Sequence, residues 1–385
     1  MRISMPRLTL WKIVFGVVMV AALYATVVRF TRGLGASTHL SDQFPWGLWI
    51  GFDVLCGVML AAGGFTLTAA VHIFNMERFK PIIRPALLTA FLGYLLVVMA
   101  LLFDLGRSYR IWHPLVMWNP RSVMFEVAWC VMLYTTVLAL EFVPVVFERV
   151  GWQAPLRWMR AVSIPLVMAG VILSTLHQSS LGSLYLIVPA KLHPLWYTPL
   201  LPLFFFLSAL AVGFAMTIFE SWHSSRAFGR QLEAPLLASM ARVLAVLLGF
   251  YLVLRFWDLW RRGALGRALE NRTESYLFVL EIALLLLPML LLFRRHVRLR
   301  PGALYACSVM VIFGFVANRL NVSVTGMEAG SGTAYLPKWT EVAVTLAIIA
   351  LGFAIFRFAA RHLPIFAAEA PAAAGRPAPL AARGD

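Results

Sequence analysis

ALLTAFLGYLLVVMALLFDLGR, residues 86–107, carries no charged side chain over residues 86–103 and then closes on Asp104 and Arg107. About 20 largely apolar residues, rising 1.5 Å each, cross the hydrocarbon core of a bilayer. The stretch therefore reads as a transmembrane helix, and it is not alone. Comparable windows fall at 11–30, 46–74, 86–105, 121–147, 159–178, 198–221, 236–258, 273–293, 303–321 and 340–361. The expected fold class is an all-α integral membrane protein of about ten transmembrane helices.

Composition agrees. Of 385 residues, 61% are hydrophobic and 13% charged, whereas a soluble domain has about a quarter of its residues charged. The net charge of +16 could point to nucleic acid, but the basic residues fall in short clusters between apolar runs. A membrane surface, with its lipid, accounts for them better. Cys56, Cys130 and Cys307 stand singly in apolar stretches, with no CxxC spacing and no partner set for a metal or a disulfide framework. No metal site is expected in the chain, and any iron–sulfur cluster serving it belongs to another subunit.

Ten spans put both termini on one side. That side counts eighteen Lys and Arg, the other ten, so the positive-inside rule places both termini in the cytoplasm. The first window has no A-x-A-like site before Thr31 and is read as a retained helix. Residues 367–385, rich in Ala and Pro, read as a disordered tail on a membrane domain of residues 1–366. The opposite loops are aromatic and proline-punctuated, as at Phe44-Pro45-Trp46-Gly47, Trp112-His113-Pro114 and His193-Pro194-Leu195-Trp196. Such rings serve an interfacial belt or a docking surface for a partner, and both readings stay open.

A weak repeat divides the chain. Asp104-Leu105-Gly106-Arg107 is followed 18 residues on by Ser122, with Phe125 and Glu126 just beyond, and Asp258-Leu259-Trp260-Arg261 is followed 17 residues on by Ser275, with Phe278 and Glu281 beyond. Two four-helix bundles, 46–178 and 198–321, flanked by single helices 11–30 and 340–361, are expected.

A charged side chain inside the bilayer costs several kcal/mol and is by default a functional candidate facing the protein interior. Toward the non-cytoplasmic end of the first bundle, four windows bring polar groups to one level: Asp53; Asp104 with Arg107; Glu126; and His177-Gln178-Ser179-Ser180. Donors for carbonyls, carboxylates or a histidine to exchange protons, and apolar walls are what a quinone head needs. The competing reading is an internal network in which Arg107 neutralises Asp104 at i, i+3 and His177 caps its helix. Glu141, Glu220 and Glu281 are stepped through the bundles, either as a proton relay or as buried neutral acids. His39, His113, His177 and His193 fall toward one face and His72, His223, His296 and His362 toward the other, so no mid-span pair for a bis-histidine haem is expected.

FPWGLWIGFD (44–53), AAGG (61–64), RPALL (84–88), DLGR (104–107), SVMFE (122–126), ALEFVP (139–144), LHQSSLGS (176–183) and HPLW (193–196) resemble the NrfD/polysulfide-reductase membrane family, in particular its hydrogenase-2-type branch, over most of the chain. The resemblance implies a haem-free subunit of the bacterial inner membrane. Such a subunit takes electrons from a periplasmic ferredoxin-like iron–sulfur partner, itself fed by the large and small subunits of a nickel–iron hydrogenase, and reduces menaquinone or ubiquinone. It also implies a quinone site near the periplasmic ends of the first bundle. There Glu126, His177 and Asp53 are the candidate protonating groups, and Trp46, Asp104, Arg107, Gln178, Ser180 and His193 the candidate pocket residues. Glu126, Glu141 and Glu220 match family positions associated with proton movement. The rival readings are a secondary transporter, a subunit of another oxidoreductase, and a passive anchor. No role is assigned to Glu328, Gly330 or Gly332.

Overall fold

Lipid offers backbone N–H and C=O groups no partner, so a long apolar run satisfies them internally as a helix. The computed structural model describes residues 9–366, and among them ten helices are long and apolar enough to cross a membrane. They are α1 (Leu10–Arg32), α2 (Trp49–His72), α3 (Glu77–Asp104), α4 (Val123–Val150), α5 (Ser163–Ile187), α6 (Leu201–Phe228), α7 (Ala234–Arg261), α8 (Thr273–Phe293), α9 (Pro301–Ser331) and α10 (Trp339–His362). Local chemistry marks their ends. Ser122 caps α4 by accepting from Phe125 N at 3.4 Å, and the left-handed glycines Gly151 and Gly229 end α4 and α6. The tail 367–385 lies outside the described residues.

The packing makes two four-helix bundles. In the first, α3 packs on α2 and α4, and α5 on α4 and α2; in the second, α7 packs on α6 and α8, and α9 on α8 and α6. The bundles meet where α6 lies against α2 and α5, while α1 pairs with α10, which in turn packs on α3. The central helix, α2, is 83% buried over its most apolar window, against 17% for the lipid-facing α1. Small residues permit this crowding. A Cβ on Gly64 would stand 2.5 Å from the Cβ of Ala90, and one on Gly213 would stand 2.7 Å from Thr66 Oγ1.

Several helices depart from the windows read in the sequence; α3 already begins at Glu77 and α6 runs on to Phe228. α5 continues to Leu184 and a 3-10 turn at Tyr185–Ile187 where an end at 178 is expected. The polar run His177–Ser180 turns inward and keeps its backbone helical, with Ser180 Oγ donating to Leu176 O at 2.8 Å. α9 passes its expected end at 321 through a π-helical segment, Asn321–Thr325, and continues as Gly326–Ser331. α2 opens in a second π segment, Trp49–Val54, that packs against the one in α9. Such segments occur disproportionately at functional sites.

The last turn of α9 and the residue that ends it acquire structural roles. Glu328 Oε1 accepts from Tyr335 N at 2.6 Å, and Gly332 takes φ +69°. A Cβ on Gly330 would lie 2.4 Å from Lys191 O. Gly182 is equally confined, 2.6 Å from Leu201 O and 2.7 Å from Pro202 Cα. Because backbone cannot swing aside as a side chain does, Gly182→Val is expected to cost on the order of 3 kcal/mol of apparent stability, read as a lowered melting midpoint in detergent. An unchanged midpoint would show that the α5–α6 junction is looser than this geometry.

Candidate functional site

The first bundle holds a concentration of buried polar atoms short of protein partners. Among the described residues, His177 on α5 is fully buried with neither ring nitrogen hydrogen-bonded, and Gln178 Oε1 on α5 likewise has no partner; Tyr94 Oη on α3 and Tyr134 Oη on α4 both lie beside Ser174 Oγ of α5 and have no other partner. The rings of Tyr94 and Tyr134 meet edge to face at 4.6 Å, and Tyr94 lies 5.6 Å from the His177 imidazole. Gln178 is held by its amide, which donates to Val58 O at 3.2 Å, leaving its carbonyl oxygen as an acceptor. Buried polar atoms are usually paired, and each unpaired one costs about 1–3 kcal/mol. This group is therefore poor packing and good binding chemistry. It also corrects the capping reading of His177, which sits inside its helix and caps nothing.

The other candidates sit on neighbouring elements. Asp53, on the π segment that opens α2, is buried and accepts from Thr345 Oγ1 of α10 at 2.6 Å, which ties the flanking helix to the bundle. Trp46 presents its ring to Tyr185 at 5.4 Å, and Tyr185 Oη is a further buried hydroxyl, beside Ser323 of the π segment in α9. Glu126 is more exposed than a bilayer-core acid, at the first turn of α4. It accepts a short hydrogen bond from Ser180 Oγ, and Ser180 follows His177 by one helical turn.

The ion pair expected between Asp104 and Arg107 does not form. Arg107 is exposed in the loop, and its place is taken by Arg29 of α1. Arg29 is buried and donates to Phe103 O at 2.5 Å and Leu105 O at 2.7 Å, which caps the end of α3 and brings its charge near Asp104. Asp104 Oδ1 remains buried and unpaired.

His193 and Glu281 lie elsewhere. His193 sits in the loop before α6, over the second bundle, where its N–H donates to Gly326 O at 2.9 Å and its ring neighbours Trp196. Burial lowers its pKa from the ordinary histidine value, favouring the neutral ring. Glu281 of α8 is fully buried and accepts from Trp196 Nε1 (2.9 Å), Asn318 Nδ2 (2.8 Å) and Asn321 Nδ2 (2.9 Å). Indole and amide N–H groups donate only. These fixed donors suit an anchor between helices better than a relay, and Glu281 lines neither of the clefts described next.

Glu141 and Glu220 each lie under a cleft at the other face, the one from which α1 starts. The larger, about 180 Å³, is lined by Glu141, Thr68, His72, Ser163 and, at its rim, Arg84 and Glu148. The smaller, about 60 Å³, is lined by Glu220, Ser221, Ser224, Arg230 and Phe366. Glu220 Oε1 is buried and unpaired.

A haem held by two histidines finds no such pair, since His177 alone of the eight is buried within a span. Among the described residues no group of three or more His, Cys, Asp or Glu could hold a metal.

Comparison with known proteins decides the family. The profile described as "Polysulphide reductase, NrfD" matches residues 36–328. The chain belongs to the NrfD family. Among its relatives is the probable Ni/Fe-hydrogenase 2 b-type cytochrome subunit of Escherichia coli, 35% identical, with 91% of each chain covered. The menaquinone reductase integral membrane subunit of Nitratidesulfovibrio vulgaris is 29% identical, covering 96% of this chain and 94% of that one. This NrfD chain is thus a multi-pass membrane subunit related to those of hydrogenase 2 and menaquinone reductase. The word cytochrome in the hydrogenase relative's name stands against the histidine placement here, where no second imidazole faces His177.

Several polar residues of the NrfD fold escape a search confined to intramembrane acids and histidines. Arg29, Arg255 and Arg319 are buried in α1, α7 and α9, and the rule that singles out intramembrane acids singles out these bases equally. Tyr94, Tyr134 and Tyr185 carry no such signal, because a tyrosine in an apolar window reads as packing until its buried hydroxyl is seen beside a serine of another helix.

Proposed function

We propose that this chain is the quinone-reactive membrane subunit of a respiratory nickel–iron hydrogenase complex in the bacterial inner membrane, with both termini in the cytoplasm. The observation that carries the reading is the buried polar set around His177, whose two ring nitrogens have no partner, with Gln178 held on Val58 of α2 and Ser180, one turn on, bonded to Glu126. The printed names of the two relatives support the partner enzyme and the quinone. A periplasmic ferredoxin-like iron–sulfur subunit, fed by the large and small hydrogenase subunits, delivers electrons one at a time. Menaquinone or ubiquinone takes up two electrons and two protons and leaves as the quinol.

In this reading His177, Gln178 and Tyr185 position the quinone head through hydrogen bonds to its carbonyls, and Trp46 forms a wall. Asp53 and Glu126 exchange protons with it, as general acids need only hydrogen-bond reach and a suitable pKa. Ser180 holds the Glu126 carboxylate. Arg29 keeps Asp104 at the end of α3, and Arg107 lies on the surface that meets the electron donor. Glu141 and Glu220, each beneath a cytoplasmic cleft, carry protons inward. Glu281 anchors helices and moves none, and His193 shapes the loop over the second bundle. Protons drawn from the cytoplasm to meet electrons from the periplasmic side would charge the membrane.

Membranes containing the whole complex test this. Glu126→Gln keeps the bond from Ser180 but cannot release a proton, and it is expected to lower hydrogen-dependent reduction of a short-chain quinone by roughly 100-fold. Hydrogen oxidation with an artificial dye should be unchanged. Equal loss of both activities would sink the site assignment.

A further inference from the structure

The two clefts share one helix and one bordering segment. Ile83, Arg84 and Leu87 of α3 line the Glu141 cleft, and Pro81, Ile82 and Pro85 line the Glu220 cleft, so the clefts open on opposite sides of the same first turns. Between them runs the short non-helical segment that follows α10, residues 363–366, which lines the Glu220 cleft through Phe366 and touches the rim of the Glu141 cleft through Arg84. Its contacts fall on rim residues. Pro364 O accepts from Arg84 Nη1 at 3.0 Å, and the same guanidinium bridges Glu148, with Nη2 at 2.9 Å from Oε2. Glu148 is also met by Arg160 at 3.3 Å. On the other side the Phe366 ring packs on Phe228 at 5.3 Å, lies under the Arg230 guanidinium at 4.8 Å, and forms part of the cleft wall. Between these contacts Ile365 is fully buried in the main core.

A segment with one fully buried apolar anchor, two partly buried neighbours in Leu363 and Phe366, and rim contacts on both sides can lift as a unit, since few backbone hydrogen bonds hold it. We propose that residues 363–366 form a cytoplasmic strap that sets water access to Glu141 and Glu220 together. With the strap down, Arg84 is held across the Glu148 rim and Phe366 narrows the Glu220 cleft. With the strap up, Arg84 loses its carbonyl partner and Phe366 leaves the wall, so both acids gain a wider connection to the cytoplasm. The consequence for turnover rests on the proton route proposed above; the access itself does not.

The test is labelling of the intact complex in membranes with a small water-soluble maleimide. Ser163→Cys reports the Glu141 cleft, Ser221→Cys the Glu220 cleft, and Arg295→Cys, exposed in the loop after α8, serves as control; the native cysteines are buried. Adding Ile365→Ala removes the anchor, and both cleft positions should label at least about thirtyfold faster, the shift expected when an opening equilibrium loses one buried aliphatic side chain. The control should not change. Phe366→Ala releases only the second rim and should speed Ser221→Cys alone. Unchanged cleft rates, or equal acceleration of the control, would overturn the strap. If Ile365→Ala fails to assemble, the Phe366→Ala pair decides by the same criterion. Faster labelling with unaltered quinone reduction and proton uptake when Glu141 and Glu220 are themselves replaced would leave the strap standing and remove the proton route.

Discussion

His177→Leu is expected to lower hydrogen-to-quinone turnover by at least about 100-fold while barely moving the stability of the subunit. The first half follows from the site, where the neutral imidazole offers one N–H donor and one acceptor nitrogen that no protein group occupies, and general acid–base or positioning groups of this kind are worth about 10²–10⁴ in rate. The second half follows from the geometry. Neither ring nitrogen has a protein partner, so removing the ring orphans no donor or acceptor, and leucine keeps most of the contact with Tyr94. Dye-linked hydrogen oxidation and the melting midpoint should match the parent complex. A variant that loses stability and both activities together would make His177 a packing residue.

Glu281→Leu is expected to do the reverse. Its carboxylate is the shared acceptor for Trp196, Asn318 and Asn321, which join the loop before α6, α8 and the π segment of α9. Leucine would leave three N–H donors buried and unpaired, a loss on the order of 3–5 kcal/mol. Glu281→Gln keeps one carbonyl acceptor and should cost about 1–2 kcal/mol with quinone reduction retained. The amount of subunit recovered from membranes and its apparent melting midpoint measure both. A Glu281→Gln subunit that folds normally but cannot reduce quinone would restore the relay reading.

These two expectations show what a one-dimensional reading reaches. Hydropathy found the ten helices because the bilayer imposes one physical requirement on every span, a run of apolar side chains about 20 residues long. It ended α5 and α9 too early for a common reason: the polar residues at His177–Ser180 and Asn321–Thr325 interrupt the apolar run, yet each stretch keeps its backbone bonded within its own helix and packs inside the protein. Glu126 and Ser180 were both legible as candidates, yet their hydrogen bond joins α4 to α5 and has no expression in sequence spacing. Asp104 and Arg107 illustrate the opposite error. Opposite charges three residues apart pair only if the helix continues past both, and α3 stops at Asp104, which hands the neighbouring role to Arg29 from a distant part of the chain.

Arg319 belongs to the same class. Its guanidinium lies 3.4 Å from the Phe205 ring centroid and donates to Phe205 O at 3.1 Å and Ser208 Oγ at 2.8 Å, which bolts α9 to α6 close to the junction of the two bundles. Two of its nitrogens, Nε and Nη1, stay unpaired. Charge buried in this way is costly unless other groups compensate it, and only the three-dimensional arrangement shows that an aromatic face and a serine take part of that load.

The central claim is that this chain works as part of a hydrogen-oxidising complex and hands electrons to quinone. Gentle detergent purification of the tagged chain, with nickel and iron analysis and a hydrogen-to-quinone assay on the same sample, tests it most directly. The account predicts that nickel, iron and quinone reductase activity travel with the chain. A chain that emerges alone and metal-free, and that moves a solute across proteoliposomes unaided, would contradict it and make the protein a carrier.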